Sequence, residues 1–309
     1  MKIRSVAIMG AGAVGSYVIW GLSQKPDLDI CVIADGERKT RYERDGFVIN
    51  AETYHPQIKT PREAAGTDLL IVALKYNSLK ASLEDIRAIV GENTIVMSLM
   101  NGVDSEEIIG AEIGMEKIVH SVIMIASERS GNSVKFNPDT TIGIIYGEAD
   151  KERGTARTDS IAEIFKDTGI KARVTDVILS EIWSKFLLNV GNNLIQAIVG
   201  RGVGIYSDSE HAGFLKKQMR AEVKALAEAK GIDISLADKS TQHGSGVAKR
   251  ARYSTLQDLD NHRHTEIDMF SGAVVRMGRE LGIPTPYNEY TYHMIKALEE
   301  KNDGLFDYE

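Results

Sequence analysis

Several features that would point to particular classes of protein are scarce or absent in this 309-residue chain. Its one cysteine, Cys31, excludes an internal disulfide, and the apolar run around it (Ile30 to Ala34) favours a core residue over a reactive thiol. Positive charge is not in excess, because the formal net charge is -7, and this argues against a nucleic-acid surface. No stretch approaches the ~20 apolar residues of a membrane span. We therefore expect a cytoplasmic protein with no nucleic-acid or membrane partner.

Targeting and metal-binding signals are lacking as well. Lys2 and Arg4 precede an apolar run, but that run is too short for a signal peptide. His262 and Glu266 lie four residues apart, yet no further ligands stand at a suitable spacing, so we expect no metal site. Internal repeats and low-complexity segments are also absent from the sequence.

A glycine-rich loop follows the first apolar run directly. In G-x-G-x-x-G the first glycine permits a tight turn, the second lets the backbone approach a pyrophosphate, and the third lets helix and strand pack closely. The anion then lies at a helix N-terminus. The sequence thus predicts a dinucleotide site, with a glycine-rich turn that binds nothing as the alternative. The residues of the loop are Gly10, Ala11, Gly12, Ala13, Val14 and Gly15.

The first half of the chain alternates strand-like and helix-like segments. Buried parallel strands are continuous apolar runs, and four are predicted: Val6–Met9, Ile30–Ala34, Asp68–Leu74 and Thr94–Met100. Asn77–Val90 has helical periodicity, while Lys117–Ala126 and Thr141–Tyr146 are expected to extend the sheet. This order predicts an α/β fold with a Rossmann-type, doubly wound parallel sheet.

After Asp176 the periodicity becomes helical. Val177–Val199, Ala212–Lys230 and Thr265–Leu281 are each predicted to be a helix, and Asn302–Glu309 a loose tail. We therefore predict two domains, a dinucleotide-binding domain over residues 1–175 and an all-α domain over residues 176–309.

One helix of the second domain carries a polar stripe on an otherwise apolar surface. Lys185, Asn189 and Asn193 recur every four residues and so share one face. A buried lysine or amide is costly without a partner. The stripe must therefore face either a polar cleft or water, and the spacing alone leaves both open.

A second polar group lies between residues 253 and 268. Ser254, with Gln257 three residues later, is typical of a capping box at a helix start. Glu266 stands among core-type residues, although an ordinary exposed helix carboxylate is the simpler interpretation.

Two polar residues of the first domain follow predicted strands. Asn101 comes directly after Thr94–Met100, and Lys75 after Asp68–Leu74. Ligands of open α/β sheets bind beyond the carboxyl ends of the strands, so both could meet cofactor or substrate. An Asn-Gly turn without a ligand is the alternative for Asn101.

In combination these segments resemble the ketopantoate reductase (2-dehydropantoate 2-reductase) family. The resemblance runs from Lys2 to about Lys296, and its specific parts are the helix Trp183–Asn193 and the segments from Ser254 to Asp258 and Thr265 to Asp268. It implies a Rossmann domain joined to a helical domain, and reduction of 2-dehydropantoate to (R)-pantoate, a step towards pantothenate and coenzyme A.

The resemblance also implies a role for each matching residue. Lys185 corresponds to the proton donor and Glu266 to the carboxylate that meets substrate and organises the lysine. Lys75 corresponds to a lysine on the cofactor, which would be NADP(H). The residues that correspond to substrate-positioning side chains are Asn101, Asn189, Asn193 and Ser254.

One position departs from the family pattern. Many members place an arginine at the end of the second strand, where it holds the 2′-phosphate of NADPH, whereas this chain has Asp35. An acidic residue there accepts a hydrogen bond from a ribose 2′-hydroxyl and favours NAD(H). Arg38, Lys39 and Arg41 follow closely and could still hold a phosphate, so NADP(H) stays the expected cofactor and NAD(H) is the alternative.

Two other functions remain open at this point: a related reductase of another 2-keto acid, and a dinucleotide sensor without catalysis. The sequence decides neither the physiological keto acid nor the oligomeric state, for which a homodimer is one possibility.

Overall fold

The computed structural model describes residues 2–150, 154–239, 247–306 and 308. The chain forms two compact units, Met1–Ile178 and Leu179–Glu309.

An eight-stranded sheet forms the centre of the first unit. Six neighbouring strands of the sheet run parallel, and in chain order they take the arrangement 3-2-1-4-5-6 of the Rossmann fold. The strands of this unit are β1 (Ser5–Met9), β2 (Asp29–Ile33), β3 (Phe47–Ile49), β4 (Glu52–Tyr54), β5 (Gln57–Lys59), β6 (Leu69–Val72), β7 (Ile95–Ser98), β8 (Ile118–Met124), β9 (Ser127–Ser130), β10 (Ser133–Phe136), β11 (Gly143–Gly147) and β12 (Ala172–Val174).

Strand order across the large sheet is β12-β11-β8-β7-β6-β1-β2-β5. The prediction that the two later apolar runs extend the sheet is confirmed, with one difference in direction. β11 lies antiparallel to β8, because the chain returns through β9 and β10 without a crossover helix. A second, four-stranded sheet in the order β4-β3-β10-β9 was not predicted.

Helices cover both faces of the large sheet, and alternate residues of each strand enter different cores. Val6 and Ile8 pack in one apolar cluster with α1, while Ala7 and Met9 pack in another with α4 and α5. This explains why the strands are continuous apolar runs. The helices of the first unit are α1 (Ala13–Leu22), α2 (Gly36–Asp45), α3 (Tyr76–Leu79), α4 (Leu83–Ile89), α5 (Ser105–Ile113) and α6 (Ala156–Phe165).

The segment Asn77–Val90, predicted to be one helix, is interrupted. A 3-10 turn at Lys80–Ser82 separates α3 from α4. Leu79, Ile86 and Ile89 nonetheless enter the same core, so the apolar spacing identified the buried side chains correctly and only the continuity of the helix was wrong.

Helices make up the described part of the second unit. Their bounds are α7 (Ile178–Val199), α8 (Ile205–Asp208), α9 (Glu210–Ala229), α10 (Ser254–Asp260), α11 (Ser271–Leu281) and α12 (Pro286–Asn302). The fold class, a Rossmann sheet plus an all-α second part, is thus confirmed. The helix predicted from Thr265 begins only at Ser271, and α12 occupies the first residue of the predicted tail. Among the described helices, none is long and apolar enough to cross a membrane.

Candidate active site

The glycine loop lies between β1 and α1 and meets the neighbouring strand β6. Gly10 has φ +103°, and a Cβ there would lie 2.4 Å from the carbonyl oxygen of Ala73. A Cβ on Gly15 would lie 1.9 Å from the carbonyl oxygen of Gly10. Both positions therefore require glycine for close packing of the loop, as the motif predicts.

Gly12 differs, because a Cβ there would meet no atom within 4 Å. It is the N-cap of α1, it supplies no side-chain cap, and the first turn of α1 holds no acidic residue. The first backbone N–H groups of a helix have no intrahelical acceptor. An open space in front of uncapped N–H groups fits the pyrophosphate of a dinucleotide.

A cavity next to this loop is lined by two carboxylates and one guanidinium. Asp35 follows β2 and is the N-cap of α2, without a side-chain cap bond. Arg38 and Asp85 line the cavity with it. Burial and, after it, the nearby Asp35 carboxylate raise the pKa of Asp85. The charge that lines this cavity is thus predominantly negative.

Lys39 and Arg41, the other two cations considered for a 2′-phosphate, have partners elsewhere. Lys39 donates to the carbonyl oxygen of Ile58 at 2.8 Å and pairs with Glu63 at 3.0 Å. The Arg41 guanidinium lies 5.5 Å from the centre of the Tyr42 ring. Of the three cations considered for a 2′-phosphate, only Arg38 therefore lines the cavity.

Lys75 and Asn101 lie at the same edge of the large sheet, beyond the carboxyl ends of the neighbouring strands β6 and β7. Lys75 is exposed at the start of α3, and Asn101 is partly buried. The loop after Asn101 is fixed by Tyr76, whose hydroxyl donates to Asp104 at 2.7 Å. Both residues thus lie at the edge of the sheet where the strand order predicts ligand binding.

The polar stripe of α7 is not a solvated face. Lys185 and Asn189 are partly buried, and Asn193 is buried. Burial lowers the pKa of Lys185 to about 8, and the Glu266 carboxylate acts in the opposite direction. Lys185 and Glu266, which are far apart in sequence, are therefore close enough to interact electrostatically.

Ser254 is placed by a hydrogen bond that links α7 to the start of α10. The backbone N–H of Tyr253 donates to Gln196 Oε1 at 3.2 Å, and Gln196 is fully buried. The predicted capping box is wrong, because Tyr253 is the N-cap and Gln257 donates instead to the carbonyl oxygen of Arg252. The Ser254 hydroxyl makes no hydrogen bond within the described part of the chain and is exposed.

Glu266 lies in a turn that precedes α11, partly buried between two buried neighbours. The turn is anchored by Glu299 of α12, which accepts hydrogen bonds from the backbone N–H of Thr265 at 2.7 Å and from its hydroxyl at 2.6 Å. The simpler interpretation, an exposed carboxylate on a regular helix, is therefore wrong.

Three supporting residues were not identified from the sequence: Asp85, Gln196 and Glu299. Gln196 bonds Tyr253, which is 57 residues away, and Glu299 bonds Thr265, which is 34 residues away. Burial raises the pKa of Asp85, and so does the carboxylate of Asp35, which lies 50 residues before it. Polar residues on otherwise buried helix faces were the available signal for Gln196 and Glu299.

Two family models match the chain in order. The model described as ketopantoate reductase PanE/ApbA covers residues 6–147, and the one described as ketopantoate reductase PanE/ApbA C terminal covers residues 177–299. A 2-dehydropantoate 2-reductase of Mesorhizobium japonicum is 26% identical, over 95% of this chain and 97% of its own. An uncharacterised oxidoreductase of Bacillus subtilis, YkpB, is 24% identical over 94% and 98%.

Solved structures agree with this relationship. A ketopantoate reductase from Ralstonia eutropha superimposes with a TM-score of 0.83 at 24% identity, covering 97% of this chain and 99% of that one. D-mandelate dehydrogenase in complex with NADH has a TM-score of 0.82 at 26% identity, over 99% and 100%. A dimeric ketopantoate reductase from Staphylococcus aureus has a TM-score of 0.75 at 21% identity, over 96% and 99%.

Because the two family models together span most of the chain, in the order that the fold requires, this NAD(P)-dependent oxidoreductase belongs to the ketopantoate reductase PanE/ApbA family.

Proposed function

We propose that this protein reduces a 2-keto acid, with 2-dehydropantoate as the lead substrate and (R)-pantoate as the product. The observation that carries the proposal is the partly buried Lys185, with a pKa of about 8 and the Glu266 carboxylate near it. The relatives named 2-dehydropantoate 2-reductase support the choice of substrate. The reaction would then belong to the synthesis of pantothenate and coenzyme A.

The residues divide the chemical work as follows. A reduced nicotinamide bound at the glycine loop would supply the hydride to the keto carbon. Hydride addition places negative charge on the keto oxygen, and the Lys185 ammonium stabilises that charge and gives the proton. Glu266 keeps Lys185 protonated by favouring its charged form.

Substrate binding falls to neutral polar side chains. Asn189 and Asn193 share a helix face with Lys185, and Ser254 has a hydroxyl with no partner in the described chain. Amides and hydroxyls can bind a carboxylate or a hydroxyl without changing the charge balance at Lys185. Asn101 is proposed to act with them, and Lys75 to contact the cofactor.

For the cofactor we propose NADH over NADPH, although the family resemblance implies NADP(H). Asp35 and Asp85 would both repel a 2′-phosphate, and of the nearby cations Arg38 alone lines the same cavity. Asp35 can instead accept a hydrogen bond from a ribose 2′-hydroxyl.

The proposal is tested by steady-state assays with 2-dehydropantoate and either NADH or NADPH. Lys185→Ala is expected to lower kcat by two or more orders of magnitude and to leave NADH binding within about twofold. Lys217→Ala, which removes an exposed lysine of α9, is the matched control and should keep wild-type turnover. Near-normal turnover of Lys185→Ala would refute the assigned role.

A second keto acid belongs in the same assay, because D-mandelate dehydrogenase is among the similar structures. Turnover of the keto acid that corresponds to mandelate, without turnover of 2-dehydropantoate, would assign the protein to another substrate with the same chemistry. Tight NADH binding without turnover of any keto acid would favour a dinucleotide sensor.

A further inference from the structure

The second unit contains a cavity that the proposed reaction does not use. Its volume is about 600 Å³, which is within the range of small-molecule sites. Residues of α7, of α9 and of the segment after α9 line it, among them Ser184, Leu187 and Leu188 of α7 and Arg220 and Lys224 of α9.

This cavity and the Lys185 stripe lie on different faces of α7. Successive residues of an α-helix are rotated by about 100°, so the centre of Ser184, Leu187 and Leu188 is about 150° from the centre of the stripe. A ligand in the cavity would therefore contact a face of α7 other than the one that carries the stripe.

Arg220 is the unusual side chain of the cavity. It is partly buried, and it makes no hydrogen bond or ion pair within the described residues. Burial lowers its pKa, and Arg220 in turn contributes to a lowered pKa of Lys216, one helical turn away. A half-buried guanidinium that has no acceptor in the described protein can pair with an anion that enters the cavity.

The backbone of α7 makes room for this arginine. A Cβ on Gly191 would lie 2.7 Å from Cδ of Arg220. The glycine lets the aliphatic part of the side chain lie flat against α7, which holds the guanidinium beside the cavity instead of extending it into solvent.

The remaining lining has a rim of mixed charge and an apolar floor. Lys224, one turn after Arg220, likewise makes no ion pair within the described chain, and nor does Glu228. Oδ1 of the Asp233 carboxylate accepts bonds from the backbone N–H and the hydroxyl of Ser235, at 2.9 and 2.7 Å, so one of its two oxygens is already used. The floor consists of Leu187, Leu188, Ile232 and Ile234.

We propose that this cavity binds a small anionic molecule with an apolar body, a carboxylate or a phosphate ester, whose acidic group is held by Arg220 and Lys224. The planar guanidinium is suited to either group, since it offers two parallel donors. The four aliphatic side chains of the floor contact the apolar part. The site is separate from the keto-acid chemistry and does not depend on it.

The probe for the test is 8-anilinonaphthalene-1-sulfonate, which joins an anionic group to apolar rings. Its fluorescence is titrated with the full-length protein and with Arg220→Gln, Arg220→Lys and Lys301→Gln. We expect Arg220→Gln to raise the Kd at least tenfold and Arg220→Lys to retain part of the affinity. Lys301→Gln removes the same charge from the exposed end of α12 and should leave the Kd unchanged.

Displacement of the probe distinguishes the acidic group of the natural ligand. Octanoate tests a carboxylate and phenyl phosphate tests a phosphate ester, and displacement by either supports the proposal. An equal Kd for wild type and Arg220→Gln, or displacement by neither compound, would overturn it. If the wild type proves to be a dimer, its conversion to a monomer in Arg220→Gln with unchanged probe binding would also overturn the proposal, because the cavity would then belong to an interface between two copies.

Arg220→Gln is expected to fold, since no partner loses its hydrogen bond in this variant. Its free energy of unfolding should equal or exceed that of the wild type when no anion is present.

Discussion

Lys185 lies between two opposing influences, and their balance decides whether it can act as an acid. Burial favours the neutral amine, whereas Glu266 favours the ammonium. With a pKa of about 8, the residue is mostly protonated at pH 7 and still gives up its proton more readily than a lysine in water. A general acid is most effective when its pKa is close to the operating pH.

The pH dependence of turnover follows from this pKa. The proposed keto-acid reduction needs protonated Lys185, so kcat/KM should fall as the pH rises through about 8. Glu266→Gln removes the influence that raises the pKa, so the fall should move to lower pH. Measured pH–rate profiles check this, with Glu280→Gln, an exposed carboxylate on α11, as the control. A profile that Glu266→Gln leaves unchanged would contradict the electrostatic pairing.

Cofactor choice is also set by single residues in this interpretation. Asp35→Ser combined with Asp85→Ser removes two negative charges that line the nucleotide cavity. The ratio of kcat/KM for NADPH to that for NADH should rise at least tenfold, because repulsion of a 2′-phosphate disappears and Arg38 remains. Asp27→Ser removes one exposed carboxylate at the opposite end of β2 and should leave the ratio unchanged. An unchanged ratio in the double variant would leave Arg38 as the governing residue.

At the scale of elements, the glycines of the loop have two roles. Gly10 and Gly15 allow close packing, whereas Gly12 leaves open space at the start of α1. Gly15→Ala puts a Cβ 1.9 Å from the Gly10 carbonyl oxygen, so α1 must move, at an expected cost of about 1–3 kcal/mol in the free energy of unfolding. Gly12→Ala meets open space and should leave stability within about 0.5 kcal/mol. Its Cβ would occupy the place proposed for the pyrophosphate, so NADH affinity should fall at least tenfold.

Denaturant unfolding and NADH titration of the two variants separate packing from binding. Lower stability of Gly12→Ala with an unchanged affinity for NADH would contradict the roles assigned to Gly12 and Gly15. Each glycine variant is the matched control for the other.

Helices and strands could be predicted from the sequence where burial imposes an apolar pattern. β6 and β7 are continuous apolar runs and were identified, with ends one to two residues different. α2 has no buried residue, so it offers no apolar periodicity to detect. β3, β4, β9 and β10 are three or four residues long, and β4 is largely exposed. β3 pairs with β4 and β9 with β10 as local hairpins, but the pairing of β3 with β10 joins segments far apart in the chain, which a local pattern cannot show.

At the scale of the whole molecule, the polar residues of the candidate site were easier to identify from the sequence than the burial and contacts of their side chains. The stripe of Lys185, Asn189 and Asn193 followed from helical spacing alone, but whether it faces water depends on packing by other helices. Glu266 looked like a helix residue because its neighbours are apolar. Instead, a hydrogen bond from Thr265 to Glu299 anchors a turn at this point of the chain, and it joins residues 34 positions apart.

The stability of the whole protein offers a test of cofactor binding that does not depend on turnover. A ligand present at one hundred times its Kd adds about 2.7 kcal/mol to the free energy of unfolding of the unit that binds it. NADH should therefore raise the melting temperature of the wild type, and NADPH at the same concentration should raise it less. Lys185→Ala should show the same shift as the wild type, because the proposed dinucleotide site lies in the first unit and Lys185 in the second.

No shift with either nucleotide would refute the nucleotide site itself. A shift that Lys185→Ala loses would show that this lysine contributes to cofactor binding, and a shift without turnover of any keto acid would leave binding as the only activity.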